Sequence, residues 1–185
     1  MVYDRQRKPK LILLCGAAGV GKTSLGELYI KDHPLSFCIE GDKLITMIGQ
    51  WYEHESEARN LVFVYTKALA RVHLAAGHNV VITSVPTNAG HISEFEQLAE
   101  DLGATFIEVL LHTTREDAIE RLLKRGTWGE EGLPPLSQAD MPVIEDLYDR
   151  MAEELKKRPG AVRIDSVDGA IDETYGKLLA VVDAV

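Results

Sequence analysis

The run Gly16-Ala17-Ala18-Gly19-Val20-Gly21-Lys22-Thr23 sets three glycines, a lysine and a hydroxyl at a spacing suited to holding phosphate. Glycines let successive backbone N–H groups turn inward and cradle an anion. Lys22 can reach the outer phosphates, the Thr23 hydroxyl can ligate a magnesium ion, and Ser24 follows in the first turn of a helix whose positive end adds to the field. Such a loop between a buried strand and a helix reads as a nucleoside triphosphate site, with ATP and Mg2+ as the expected ligands.

Two carboxylates, Glu40 and Asp42, follow the second apolar run in Phe37-Cys-Ile-Glu-Gly-Asp42. Phosphoryl transfer to an alcohol needs a carboxylate to orient the acceptor and take its proton, and acidic or hydroxyl groups around the metal. Asp42 suits the first task, and Glu40 and Asp42 with Thr23 suit the second; Asp42 could equally cap a helix beginning at Lys43. Arg121 and Arg125 stand one turn apart. They can steady charge on a transferring phosphoryl group, or pair as solvated residues with Glu116, Asp117 and Glu120. Glu108 falls in mid-strand, where a surface-facing or helix-paired role is expected. The six histidines show no metal-ligand spacing. His54 and His91 read as solvated, and Trp51 and Tyr52 as packing residues or a wall beside an acceptor.

Two other phosphate-loop classes leave different marks. A switch GTPase would carry Asn-Lys-x-Asp, which is missing from the sequence. A mechanical ATPase of the AAA type would end a strand in paired acidic residues, whereas the third apolar run ends Ile82-Thr83-Ser84.

These residues need elements to position them. Lys10–Cys15 is a continuous apolar run, as expected of a parallel strand covered on both faces, and Ser36–Ile39, Asn79–Thr83, Thr105–His112 and Ala161–Asp165 read as four more strands. Between them, Leu61, Tyr65, Ala68, Leu69, Val72 and Ala76 share one helical face before Gly77, and this helix should cross back to the strand at Val80. Ile92, Phe95, Leu98, Ala99 and Leu102 repeat the pattern before Gly103. Thr113-Thr-Arg-Glu116 offers a capping box for a helix ending at Gly126, and Ile171 to Val182 forms the last helix. The alternation predicts an α/β fold with a five-stranded parallel sheet and ligands at the strands' carboxyl ends. Thr127 to Met141, with Trp128, the Glu130-Glu131 pair and several Gly and Pro residues, reads as a loop. Helical spacing resumes at Val143, so the excursion from about 126 to 158 is either a lid or an ordered surface loop.

A chain of 185 residues fits one domain, since a single core serves up to roughly 250 residues. No apolar stretch approaches the roughly 18 residues of a membrane span, and the N-terminal basic segment precedes too short an apolar run for a signal peptide. A cytoplasmic location is expected, with Cys15 and Cys38 as reduced, buried thiols. The net charge of −9 disfavours a nucleic acid partner and leaves room for a compact phosphate pocket. Oligomeric state is not legible at this level.

The chain resembles the small P-loop kinases related to gluconate kinase, shikimate kinase, adenylylsulfate kinase, chloramphenicol phosphotransferase and the kinase domain of polynucleotide kinase. The resemblance spans nearly the whole length and rests on Gly16–Thr23, Glu40-Gly-Asp42, Gly77-His-Asn-Val-Val-Ile82 and Arg121-Leu-Leu-Lys-Arg125. It implies a three-layer fold with sheet order 2-3-1-4-5, Asp42 as acceptor-orienting base and Glu40 near metal or substrate. It also implies Arg121 and Arg125 beside the nucleotide, and Asp165, Ser166 and Val167 against the adenine, although Asp and Ser there also suit an ordinary turn. Two departures stand out. Thr83 and Ser84 replace an acidic residue that several relatives carry, and no Arg or Lys falls between Gly126 and Asp140. The expected activity is transfer of the γ-phosphate of ATP to a hydroxyl of a small molecule, its pocket lined from Asp42 to Tyr65 and from Thr83 to His91. A nucleoside or polynucleotide 5′-hydroxyl kinase and a nucleotide-binding protein without transfer activity are the alternatives.

Overall fold

The computed structural model describes residues 8–85, 88–129 and 133–185. Its five strands are β1 (Lys10–Cys15), β2 (Phe37–Glu40), β3 (Val80–Ser84), β4 (Thr105–His112) and β5 (Val162–Asp165). They form one sheet in the order β2-β3-β1-β4-β5, and every pairing is parallel. The helices are α1 (Lys22–Asp32), α2 (Gly41–Ile45), α3 (Glu55–Ala75), α4 (Ala89–Asp101), α5 (Arg115–Arg125), α6 (Met141–Leu155) and α7 (Ile171–Asp183). The sheet order and the α/β class expected from sequence are thus observed.

Alternation along β1 explains both its composition and its place. Ile12 and Leu14 face α1 and α7, joining Leu25, Tyr29, Leu178 and Val182. Leu11, Leu13 and Cys15 face α3 and α4, joining Ala70, Leu74, Phe95 and Leu98. A strand buried on both faces must be apolar throughout, and β1 is the middle strand of the sheet. On α1, a Cβ added at Gly26 would come within 2.6 Å of the Cys38 Sγ of β2, so the small residue lets the helix that follows the phosphate loop lie close to the sheet. Both cysteines are free thiols.

Several local expectations are corrected. Helix α5 is capped by Thr114, whose hydroxyl accepts from the Asp117 N–H at 3.1 Å, so the N-cap falls one residue later than the Thr113–Glu116 box. Strand β2 runs on to Glu40, and α2 starts at Gly41, which places Asp42 inside the first turn rather than at a cap. The apolar stripe of α3 does not face the sheet. Ala58, Thr66, Ala70 and Leu74 are its buried residues, while Tyr65, Leu69 and Val72 are exposed.

The segment between α5 and α6 is tied down at two points. Trp128, Leu136 and Met141 pack with Ala18 against Ile119, Leu122 and Ile144, whereas Leu133 packs on Ile45, Trp51 and Ala58 beyond β2. The segment therefore spans from α5 to the α2–α3 side of the sheet's carboxyl end. Glu130 and Glu131 lie outside the described residues. Helix α6 then returns and is fastened by Arg158, which donates to Glu108 Oε2 at 3.0 Å through Nε and to Glu96 Oε2 at 2.7 Å through Nη2. Glu108 is buried and its partner Arg158 stands in the turn that follows α6, so this mid-strand acid faces inward rather than the surface and is paired just beyond a helix, not within one. Among the described residues, no helix is long and apolar enough to cross a membrane.

Candidate functional site

The phosphate loop leaves β1 at Gly16, where φ is +151° and a Cβ would stand 2.6 Å from the Leu111 carbonyl oxygen of β4. Gly19 and Gly21 also have positive φ, and Gly21 is the left-handed N-cap of α1. Ala17 and Val20 point into the core, which fixes the loop from below. Thr23 and Ser24 are exposed on the first turn of α1. Lys22 folds back over the loop, donating from Nζ to the carbonyls of Gly16 at 2.9 Å and Ala17 at 2.7 Å.

Burial drives the Lys22 ammonium down to about 8; the Asp42 carboxylate works against that shift and the Arg125 guanidinium adds to it. These three side chains therefore share one electrostatic environment. Their geometry agrees. A Cβ placed on Gly129, where φ is +109°, would lie 3.7 Å from both Asp42 Oδ2 and Arg125 Nη2. Gly129 was not singled out by sequence reasoning, which could read it only as one more loop glycine. Just before the loop, burial and the nearby Glu108 push the Cys15 thiol up to about 12, which makes it a poor nucleophile.

The remaining sequence candidates fall into smaller groups. Glu40 stands beside Thr83 in register, and Glu40 Oε1 accepts from Lys43 Nζ at 2.6 Å. Arg125 donates to the carbonyls of Thr127 and Trp128 at 2.8 and 2.6 Å, so it holds the first residues of the lid segment. Arg121 pairs with neither Glu116 nor Glu120. It donates to the Ser166 hydroxyl at 3.2 Å and the Ser166 carbonyl at 3.0 Å, and that hydroxyl donates to the Val20 carbonyl at 3.0 Å. The loop after β5 is thereby fastened to the phosphate loop through Arg121. Val167 is exposed beside it. Asp165 turns instead to His112 and Arg163, at 3.2 and 3.4 Å, away from that chain of bonds.

Around the expected acceptor region, Trp51 is buried and serves packing, Tyr52 is exposed, and His91 stacks on Phe63 with ring centroids 3.9 Å apart. Pro86 and Thr87 lie outside the described residues. A cavity of about 250 Å³ opens on the other flank, between the end of β4 and α6, where Ala17, Leu110, Tyr148 and Met151 line it. None of the residues expected to contact an acceptor borders it.

Solved structures with a similar fold include a gluconokinase from Sinorhizobium meliloti 1021, with a TM-score of 0.63 at 20% identity over 97% of this chain and 94% of that one. The Mycobacterium tuberculosis APS kinase CysC in complex with AMPPNP and APS gives 0.60 at 18% identity over 95% and 98%. A chain of the Pnkp1/Rnl/Hen1 RNA repair complex gives 0.63 at 17% identity over 85% of this chain, which spans only 48% of that one. Comparison with curated proteins returns no match. Strand β3 ends in Thr83 and Ser84, where a mechanical AAA-type ATPase would carry paired acidic residues. A family model described as an AAA domain matches residues 11–155, and the chain, with its phosphate loop between β1 and α1, belongs to that family.

Proposed function

We propose that this protein is an ATP- and Mg2+-dependent phosphotransferase that moves the γ-phosphate to a hydroxyl of a small molecule. The observation that carries this reading is the meeting of Asp42 and Arg125 at Gly129, with both charges acting on Lys22 of the phosphate loop. A nucleotide alone would need the lysine and the loop amides; a carboxylate aimed at the same point is what an acceptor alcohol requires.

The loop fits the cofactor. Positive φ at Gly16, Gly19 and Gly21 presents backbone amides without side-chain obstruction, and the Lys22 ammonium rests on loop carbonyls from which it can turn to phosphate oxygens. Thr23 would contribute its hydroxyl to magnesium, with Asp42 and Glu40 around the water shell. Among the described residues no three acidic, histidine or cysteine side chains group closely enough to hold a metal alone. When bound, Mg2+ supplies charge neutralisation at the transferring phosphate.

In the resulting mechanism the loop amides and Lys22 grip the phosphate tail. Asp42 accepts a hydrogen bond from the acceptor hydroxyl, orients it in line and takes its proton as the acceptor oxygen bonds to the γ-phosphorus and the bond from that phosphorus to the β–γ bridging oxygen breaks, leaving ADP. Arg125 and the backbone of residues 127–129 close over the same point and exclude water. Arg121 acts one step removed, through Ser166, by holding the loop that would lie beside the base.

The direct test is ADP release measured across sugars, nucleosides, antibiotics and short oligonucleotides. One small-molecule class should stimulate release, and Asp42→Asn should lower that release by about 10²- to 10⁴-fold while nucleotide still binds. Saturable ATP binding with no acceptor-dependent turnover, unaltered by Asp42→Asn, would leave a nucleotide-binding protein without transfer activity.

A further inference from the structure

Helix α3 carries two apolar faces, and only one is covered. Thr66, Ala70 and Leu74 lie against the sheet side, while Val64 (56% exposed), Tyr65 (44%), Leu69 (37%) and Val72 (72%) stand open on the other. With Leu61 and Ala68, these recur at three- and four-residue spacing along a 21-residue helix, which is the pattern of a seam between two helices. At 1.5 Å per residue the helix is about 30 Å long. The open stripe does not stop at the helix. His73 donates from Nε2 to the Leu35 carbonyl at 2.8 Å and its ring meets Phe37 at 5.3 Å, and Leu35 and Phe37, at the start of edge strand β2, are themselves exposed. An apolar stripe of this extent on a monomer's surface marks an interface.

Charge along α3 points to the occupant. Glu55 and Glu57 sit in its first turn, with Glu55 paired to Arg59 at 2.8 Å so that Glu57 is the acid left at that end, whereas Lys67, Arg71 and His73 lie in its second half. A second α3 laid antiparallel sets acid against base at both ends of the seam, and a parallel one sets like against like. An anionic lipid surface is disfavoured by Glu57 at the stripe's own end and by the net charge of −9.

We propose that the protein self-associates through α3 as an antiparallel two-fold dimer. An axis near Tyr65 sets Leu61 of one copy against Leu69 of the second and brings Glu57 within a turn of Arg71. The seam is narrow, so the dimer belongs to the weak, concentration-dependent class.

The test is molar mass by light scattering across a concentration series of the full chain. The mass should climb from 20.5 kDa toward twice that value as concentration rises through the micromolar range. Leu69→Glu with Val72→Glu should hold it at the monomer value with unchanged circular dichroism. Glu57→Arg and Arg71→Glu should each weaken association several-fold, and their combination should restore it. A monomer at every concentration up to about 1 mM overturns the proposal, the face then being open to some other partner. A dimer that Leu69→Glu and Val72→Glu leave intact also overturns it, and a charge swap that fails to rescue rules out the antiparallel pairing.

Discussion

The phosphate loop and the segment between α5 and α6 meet at one cluster, where Ala18 and Trp128 both pack on Ile119, Leu122 and Ile144, but the two are built in opposite ways. The loop is made of backbone: glycine conformations, a carbonyl of β4 that leaves no room for a Cβ at Gly16, and lysine bonds to its own main chain. The segment between α5 and α6 is held by side chains, with Leu133 on Trp51, Trp128 on α5, Arg125 on two carbonyls, and Arg158 fastening the end of the returning helix to Glu108. A backbone-built site presents one geometry to one ligand group, the phosphate chain. A side-chain-built wall can be altered residue by residue without disturbing that grip.

Each half should therefore fail in its own way. The largest effect is expected from Arg158→Ala, which strands the buried Glu108 carboxylate and should cost about 3–5 kcal/mol in denaturant unfolding, with nucleotide affinity preserved at temperatures where the protein stays folded. Gly16→Ala reverses the pattern. Its Cβ meets backbone rather than a movable side chain, so about 2–4 kcal/mol of stability should go together with nucleotide binding, as titration calorimetry would register. Gly129→Ala is gentler: strain of about 1–2 kcal/mol at φ +109° should lower acceptor-dependent turnover and leave the dissociation constant for ATP within about twofold.

The smallest effect is a pH dependence. Lys22 lies below its ordinary 10.5, at about 8, because burial disfavours its charge, and phosphate needs the ammonium form. Nucleotide affinity should accordingly be full below about pH 8 and decline above it, and Lys22→Arg should flatten the decline. The unliganded fold shows the opposite sign. The buried ammonium is a liability below about pH 8, so its contribution to stability improves as pH rises from there toward 10.5. Thermal melts with and without nucleotide separate the two trends.

The sequence revealed the loop half far better than the lid half, for the same reason. Strands β1 and β4 were legible to the residue, because burial forces apolar runs, unbroken from Leu11 in β1 and interrupted within β4 by Glu108. The phosphate loop was legible because backbone geometry demands glycine at fixed positions. What escaped depends on contacts remote in sequence: the link from Arg121 through Ser166 to Val20, and Arg158 on Glu108. The short helix α2 and the single turn at Trp51–Glu53 are stabilised by packing with Ala58 rather than by any periodic pattern. The orientation of α3 escaped because both of its faces are apolar, and periodicity cannot say which of two such faces meets the sheet. Asp42 was found as a candidate, yet what distinguishes it from a helix cap is the start of α2 at Gly41, one residue earlier, and the approach of Gly129 and Arg125.

The central claim is that the loop from Gly16 to Thr23 grips a magnesium nucleotide through its amides and the Lys22 ammonium. Titrating Mg-ATP into the wild type and into Lys22→Ala tests it most directly. Saturation at or below millimolar nucleotide in the wild type, weakened at least about tenfold in the variant, is the predicted result. Equal affinity in the two proteins, or no saturation in either, would contradict it.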